Sequence, residues 1–184
     1  IIKNRISLFY SVLKERIYVI SQQPSISISK FDKIDKSIKD SFEKLYSLPQ
    51  KYIFYPAMYL PHKNHKYVID TIKILNFKYK LNLCAVFCGS DKGYLKKIKK
   101  YTKDQNQTEN IIFLDFVEDK YLPYLYLNSL ALAMPTFSGP TNIPPWEAFK
   151  IGVPVLYSDI HNIKEVYKDA VYYIDPLDPE TMVK

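Results

Sequence analysis

A chain of 184 residues with 47% hydrophobic content is long enough to bury a sizeable core, and its net charge of +7 arises from 26 basic against 19 acidic residues. No uninterrupted run of about 18 apolar residues occurs, so no transmembrane helix is predicted; residues 122–137 come nearest and are broken by Pro123, Asn128, Ser129 and Pro135. The lysines lie mainly on helical stretches such as 94–103, without the Arg–aromatic alternation of a nucleic-acid binder. They read first as solvated helix faces, with phosphates or an anionic membrane surface as the partners a basic chain would favour.

Lys3, Asn4 and Arg5 interrupt any signal-peptide pattern. The chain starts on Ile1 rather than Met and stops just inside a helical pattern, which suggests a piece of something longer. Residues 17–20 (Ile-Tyr-Val-Ile) carry a strand signal, 21–29 read as a polar linker, and 31–45 place Phe31, Ile34, Ile38, Phe42 and Leu45 at helical spacing. Residues 1–50 are thus expected to be a connector ahead of a main domain over 51–184.

From Lys51 onward strands and helices alternate. Strands are expected at 52–55, 82–88, 111–114, 130–134, 153–156 and 171–174, each short, continuous and apolar. Asn64 is placed to cap a helix whose buried face is Val68, Ile69, Ile72 and Leu75, and Gly152 to end a helix at its C′ position. Another helix should present Tyr94, Ile98 and Tyr101, with shorter ones over 120–128, after Asp159, and from Asp178. Such alternation predicts an α/β fold, a Rossmann-like parallel sheet with helices on both faces. Cys84 and Cys88, four apart in the second strand, fit buried free thiols in a reducing cytosol and not a zinc or redox pair.

In that fold ligands bind where loops leave the carboxyl ends of strands. The segment after the fourth strand, Pro135-Thr136-Phe137-Ser138-Gly139-Pro140-Thr141-Asn142-Ile143-Pro144-Pro145-Trp146-Glu147, is the leading candidate. Prolines cannot donate, so Thr141, Asn142 and Ile143 are the expected loop donors, joined by the amides of Trp146 and Glu147 in the first helical turn. Glu147 is either an acid favoured at a helix N-terminus or a carboxylate for vicinal hydroxyls, and Trp146 reads first as a packing residue. Lys63, just before a helix after the first strand, suits a diphosphate or is a plain solvated lysine. His62 and His65 lack a third metal ligand nearby in sequence, so no metal site is expected. Phe116 and Val117, after the third strand, could flank a nucleobase, beside Glu118 and Asp119 as ordinary caps. Gly89-Ser90-Asp91 reads as a turn and cap.

Taken in order, these pieces resemble the donor-binding half of a group 1 glycosyltransferase (family 4 type), the C-terminal domain of a GT-B fold. The resemblance covers about residues 51–184 and rests on Lys63-Asn64, on Ile112-Phe113-Leu114-Asp115-Phe116-Val117, and on Glu147-Ala148-Phe149-Lys150-Ile151-Gly152-Val153-Pro154-Val155. Ser158-Asp159 and the Asp175-Pro176 and Asp178-Pro179-Glu180 pairs also fit. It implies retaining transfer of a sugar, mannose-like, from a nucleotide-diphosphate donor, with a GDP-sugar favoured over a UDP-sugar. The acceptor, a glycan or lipid-linked glycan, would be bound by a preceding N-terminal domain. Lys63 and Glu147 would be the catalytic residues; Thr141, Asn142, Ile143, Gly139, Phe116 and Val117 would hold the donor. No cofactor, metal or nucleic acid is implied, and the setting would be cytoplasmic, at the inner face of the membrane.

Two departures stand out. Gly139 occupies the place, eight before Glu147, of the family's first Glu, and Met58 replaces an Arg. The Gly-Pro-Thr-Asn-Ile-Pro-Pro form resembles a variant among polysaccharide and O-antigen mannosyl-type transferases. Two other readings stay open: a non-catalytic sugar-nucleotide module with a degenerate site, and a GT-B-like epimerase, for which His161 is the late acid/base candidate.

Overall fold

A computed structural model describes residues 2–20, 22–139 and 142–183 of the chain. Six strands form one parallel sheet: β1 (Tyr52–Pro56), β2 (Cys84–Cys88), β3 (Ile111–Leu114), β4 (Ala131–Met134), β5 (Val155–Ser158) and β6 (Tyr172–Ile174), in the order β3-β2-β1-β4-β5-β6. All six expected strands are present, their ends shifted by two residues at most. The chain steps outward from β1 through β2 to β3, then returns to lay β4 on the other side of β1. The order therefore reverses between β1 and β4, the position where open α/β sheets leave a crevice at their carboxyl ends.

β1 is central and buried along its length, and its period of two shows how each face is covered. Tyr52 and Phe54 point to one face: the Tyr52 hydroxyl donates to Leu125 O at 2.7 Å, and the Phe54 ring meets Tyr126 edge-on at 4.9 Å, both partners on helix α6 (Leu122–Leu127). Tyr55 points to the other, against His65 and Phe87, where α4 (His65–Tyr79) packs beside α5 (Leu95–Asp104). The α4 face of Val68, Ile69, Ile72 and Leu75 is buried as its spacing predicts. After β4 come α7 (Pro144–Ile151) and α8 (Ile163–Tyr167). Gly152 ends α7 at φ 87°, a left-handed backbone that glycine adopts without strain, its N–H reaching Ala148 O and Phe149 O.

The first 50 residues differ from expectation. A helix α1 (Ile2–Tyr10) opens the chain. Residues 17–20 form no strand with any described residue, and Tyr18, Val19 and Ile20 are exposed; a strand signal yields a strand only when a neighbour completes the ladder. The presumed linker holds a short helix, α2 (Ile26–Ser29), whose Ile28 is fully buried. The next helix, α3 (Lys36–Leu45), starts five residues later than the spacing suggests, because the Asp35 carboxylate accepts from Ser37 N and Ile38 N and fixes the N-cap there. Phe42 of α3 packs against Tyr121 and Tyr124, so this segment is seated on the sheet domain. At the other end, the stretch after Asp178 is a 3-10 turn, Pro179–Met182, with Asp178 capping Glu180 N at 3.0 Å.

Candidate functional site

The loops leaving β1 and β4 meet across the crevice. Beyond β1 a 3-10 turn, Pro61–Lys63, carries Lys63, whose carbonyl accepts from the buried Tyr55 hydroxyl at 2.5 Å. Asn64 follows at φ 57° and does not cap α4 as predicted. Its left-handed backbone turns the amide away from the helix, and Nδ2 donates to Pro135 O at 3.0 Å and Pro176 O at 2.9 Å. One side chain thus ties together the loops after β1, β4 and β6. A second tie is Phe137 N donating to His62 O at 2.8 Å.

These ties bring Lys63 to the β4 loop, 79 residues on. Lys63 Nζ donates to Asn142 Oδ1 at 2.9 Å, the two residues that sequence reasoning had placed on one anion. Lys63 is half-buried, and burial pushes its ammonium below the usual lysine range. No acid pairs with it among the described residues. Asn142 Nδ2 in turn donates to Gly139 O at 2.5 Å and to the Tyr157 hydroxyl at 2.6 Å, while Tyr157 donates to Gly139 O at 2.7 Å. The Tyr167 hydroxyl reaches Asn142 O at 3.3 Å.

Gly139 sits at φ 102°, and a Cβ there would lie 3.3 Å from the Asn142 amide. A glutamate at this position would strain the backbone as it stands, so the loss of the first acid goes with a differently shaped loop. Pro140 and Thr141 lie outside the described residues. The N–H groups of Asn142 and Ile143 meet no acceptor among the described residues and remain the loop's donors. The amides of Trp146 and Glu147 do not: both bond Ile143 O, at 2.9 and 3.3 Å. Ile143 already has helical angles, and Pro144 and Pro145 fill the first positions, so of the expected donors the Trp146 and Glu147 amides are used within the helix.

Glu147 is enclosed. Its residue is 5% exposed; Oε2 accepts from the Tyr126 hydroxyl at 2.7 Å and Oε1 from Ser25 N at 3.3 Å. The carboxylate therefore links α7 to α6 and to the residue before α2. Trp146 packs on Phe149 and Tyr167, in line with its predicted packing role. After β3, Phe116 projects into solvent at 86% exposure while Val117 is buried. Met58 is exposed and offers no charge where the resemblance puts Arg. Gly89, after β2, lies so close to β1's end that a Cβ would fall 2.3 Å from Ala57 O. The adjacent Asp91 caps α5 through Gly93, Tyr94 and Leu95 N.

A cavity of about 370 Å³ lies elsewhere, at the amino end of β1, between Phe42, Tyr46, Leu48, Pro49 and Tyr52. The acid Glu43 also lines it, which is unfavourable for a phosphate, so the crevice beside Lys63 is the stronger site. Among the described residues no three His, Cys, Asp or Glu cluster to hold a metal, His161 is exposed on a surface turn, and both cysteines are free. No helix among them is long and apolar enough to cross a membrane. Tyr157, Tyr167, Tyr126 and Ser25 also contribute to the site, and no motif in the sequence marks them. For Tyr157 a signal existed, a tyrosine near the carboxyl end of a core strand, next to the strand that feeds the loop.

The chain is similar to known proteins both in sequence and in fold. The chain is 28% identical over 180 residues to the O-antigen chain mannosyltransferase RfbU of Salmonella typhimurium, covering 98% of itself and 46% of that protein. It is 27% identical over 134 residues to the O-antigen chain mannosyltransferase B of Escherichia coli, covering 72% of itself and 35% of that relative. It thus spans half or less of these relatives' length. The fold superposes on WaaG, a glycosyltransferase involved in lipopolysaccharide biosynthesis, with a TM-score of 0.78 at 17% identity, over 97% of this chain and 48% of that one. Anabaena Alr3699/HepE in complex with UDP gives 0.75 at 16%, over 95% and 48%. The sequence profile of the family described as glycosyl transferases group 1 matches residues 37–184, and the chain belongs to that family.

Proposed function

We propose that this chain is the donor-binding half of a retaining glycosyltransferase that moves a mannose-like sugar from a nucleotide-diphosphate donor to a glycan or lipid-linked acceptor. The observation that carries the reading is the meeting of Lys63 and Asn142 at the sheet's switch point, an ammonium held by a neutral oxygen with no acid beside it among the described residues. A departing diphosphate needs positive charge where its own charge grows, and Lys63 with the Asn142 and Ile143 amides supplies it. Phe116 and Val117 lie on the base side. Glu147 has two lone-pair positions in use and others free, which suits it to ribose hydroxyls once the Ser25 contact yields. The names of the O-antigen mannosyltransferase relatives support the sugar, while a GDP donor rests on the family resemblance of the sequence alone; the HepE complexes with UDP and UDP-glucose support nucleotide-sugar binding in this fold.

Within this reading residues 51–184 are the donor domain, and 1–50 are the tail of an acceptor-binding domain with its linker. The protein would work in the cytoplasm, at the inner face of the membrane. Calorimetry with GDP, UDP and ADP tests it: weak binding of at least one is expected, and a folded chain that binds none overturns it. Glu147→Gln should weaken ribonucleotides more than deoxyribonucleotides. A second reading, a non-catalytic sugar-nucleotide module, is favoured by the uncharged Met58 and Gly139. It is separated by a full-length protein that binds donor yet neither hydrolyses nor transfers it.

A further inference from the structure

We infer that Tyr157 is a positioning residue for the anion site: through its hydroxyl it sets the Asn142 amide, and through that amide it seats the Lys63 ammonium. The inference rests on the donor reading above only for the identity of the anion.

The Asn142 amide has two hydrogens to give and one oxygen to accept with. Both hydrogens are placed, on Gly139 O and on the Tyr157 hydroxyl. Tyr157 can accept there because its own hydrogen goes to Gly139 O. With the amide reversed, its oxygen would face the Gly139 carbonyl across the same short gap, acceptor against acceptor. The three groups therefore admit one orientation, in which Oδ1 faces Lys63 Nζ.

The phenol is itself rigidly delivered. Tyr157 is fully buried near the end of β5, in register with Met134 of β4, and its ring packs on Tyr167 at 5.1 Å. Burial pushes its hydroxyl up to about 12, so the donor survives mildly alkaline pH. The result is a lysine held by a neutral oxygen, with its charge uncancelled and two of its three hydrogens without a partner among the described residues.

Tyr157→Phe keeps the ring and removes the hydroxyl. In the full-length protein carrying this chain, the Lys63 side-chain NH₃⁺ signal, identified by its absence in Lys63→Ala, should be visible by NMR without nucleotide and be lost or shifted in Tyr157→Phe. The Kd for GDP or UDP, whichever binds better, should rise by about tenfold, the worth of one strong hydrogen bond. In a Lys63→Ala background the same substitution should change Kd no further. A folded Tyr157→Phe with an unchanged lysine signal and Kd overturns the inference. So does an equal loss in both backgrounds, which would mark a packing role only. Should Tyr157→Phe fail to fold, Asn142→Ala must loosen the lysine signal and Asn142→Asp must weaken nucleotide by cancelling the charge; unchanged behaviour in both overturns it. If neither nucleotide binds the wild type, the donor reading falls while the lysine signal still decides the role of Tyr157.

Discussion

Lys63 and Glu147 border the same loop and carry opposite charge, yet the fold treats them differently. Lys63 reaches the crevice from a tight turn, half-buried, with a neutral amide as its partner. Glu147, one turn into α7, is sealed between the Tyr126 hydroxyl and Ser25 N, and Tyr126 is itself fully buried with its phenol held well above its ordinary range by that burial and by the carboxylate. An ion that keeps unspent hydrogen-bonding capacity at the surface is equipped for a ligand. An ion whose oxygens already serve two elements contributes first to the scaffold. The contrast sets a group open to a ligand against one that must first give up a scaffold contact, in a motif where the family resemblance implies a catalytic role for both.

Removing each group should therefore act on different observables. The largest stability effect belongs to Glu147→Ala, which strands the Tyr126 hydroxyl in the core and frees the Ser25 segment. A loss of about 2–3 kcal/mol in denaturant melts is expected, the usual cost of an orphaned buried polar group with a charged partner. Glu147→Gln keeps an acceptor for Tyr126 and should lose about 1 kcal/mol or less. Lys63→Ala should leave the melt within about 0.5 kcal/mol while weakening nucleoside diphosphate by roughly 10- to 100-fold, as for a hydrogen bond to a charged group. The contrast breaks if Lys63→Ala proves the more destabilising of the pair. An effect on stability between those of Glu147→Ala and Lys63→Ala falls on the loop itself: Gly139→Ala, at φ 102°, should cost about 1–2 kcal/mol and weaken nucleotide by disturbing Asn142.

How far the sequence foretold all this follows from the range of the forces involved. The strands were legible because each is a short apolar run whose burial is nearly independent of its neighbours' identity, and the C-cap at Gly152 because it is decided within a few residues. Lys63 and Asn142 were legible only as separate candidates after the first and fourth strands; their hydrogen bond depends on the sheet order, which puts the ends of β1 and β4 together. Residues 17–20 misled because a strand needs a partner, and Asn64 because a cap signal cannot report a left-handed backbone that sends the amide elsewhere. The enclosure of Glu147 depends on Ser25, 122 residues away, and no local pattern encodes that contact.

His65 sharpens the contrast from a third side, being buried like Glu147 but lacking its partners. It is 1% exposed among the rings of Tyr55, Tyr59 and Phe87, and neither ring nitrogen has a partner at full hydrogen-bond geometry; the nearby Ala57 backbone offsets only part of the burial. Burial pushes the imidazole down to about 4. Because the folded value lies below the ordinary histidine value, the unfolded chain takes up this proton first. The contribution is complete above about pH 6.5 and is lost as pH falls toward 4, with a slope of up to about 1.4 kcal/mol per unit from this one group. His65→Phe removes the titration and two unpartnered nitrogens, so its stability should hold at pH 7 and fall less steeply than wild type between pH 6.5 and 4. Parallel wild-type and variant curves over that window would show that His65 is protonated inside the fold. Lys63 would then share its corner of the crevice with a second positive charge, and the crevice would attract anions more strongly in acid than at neutral pH.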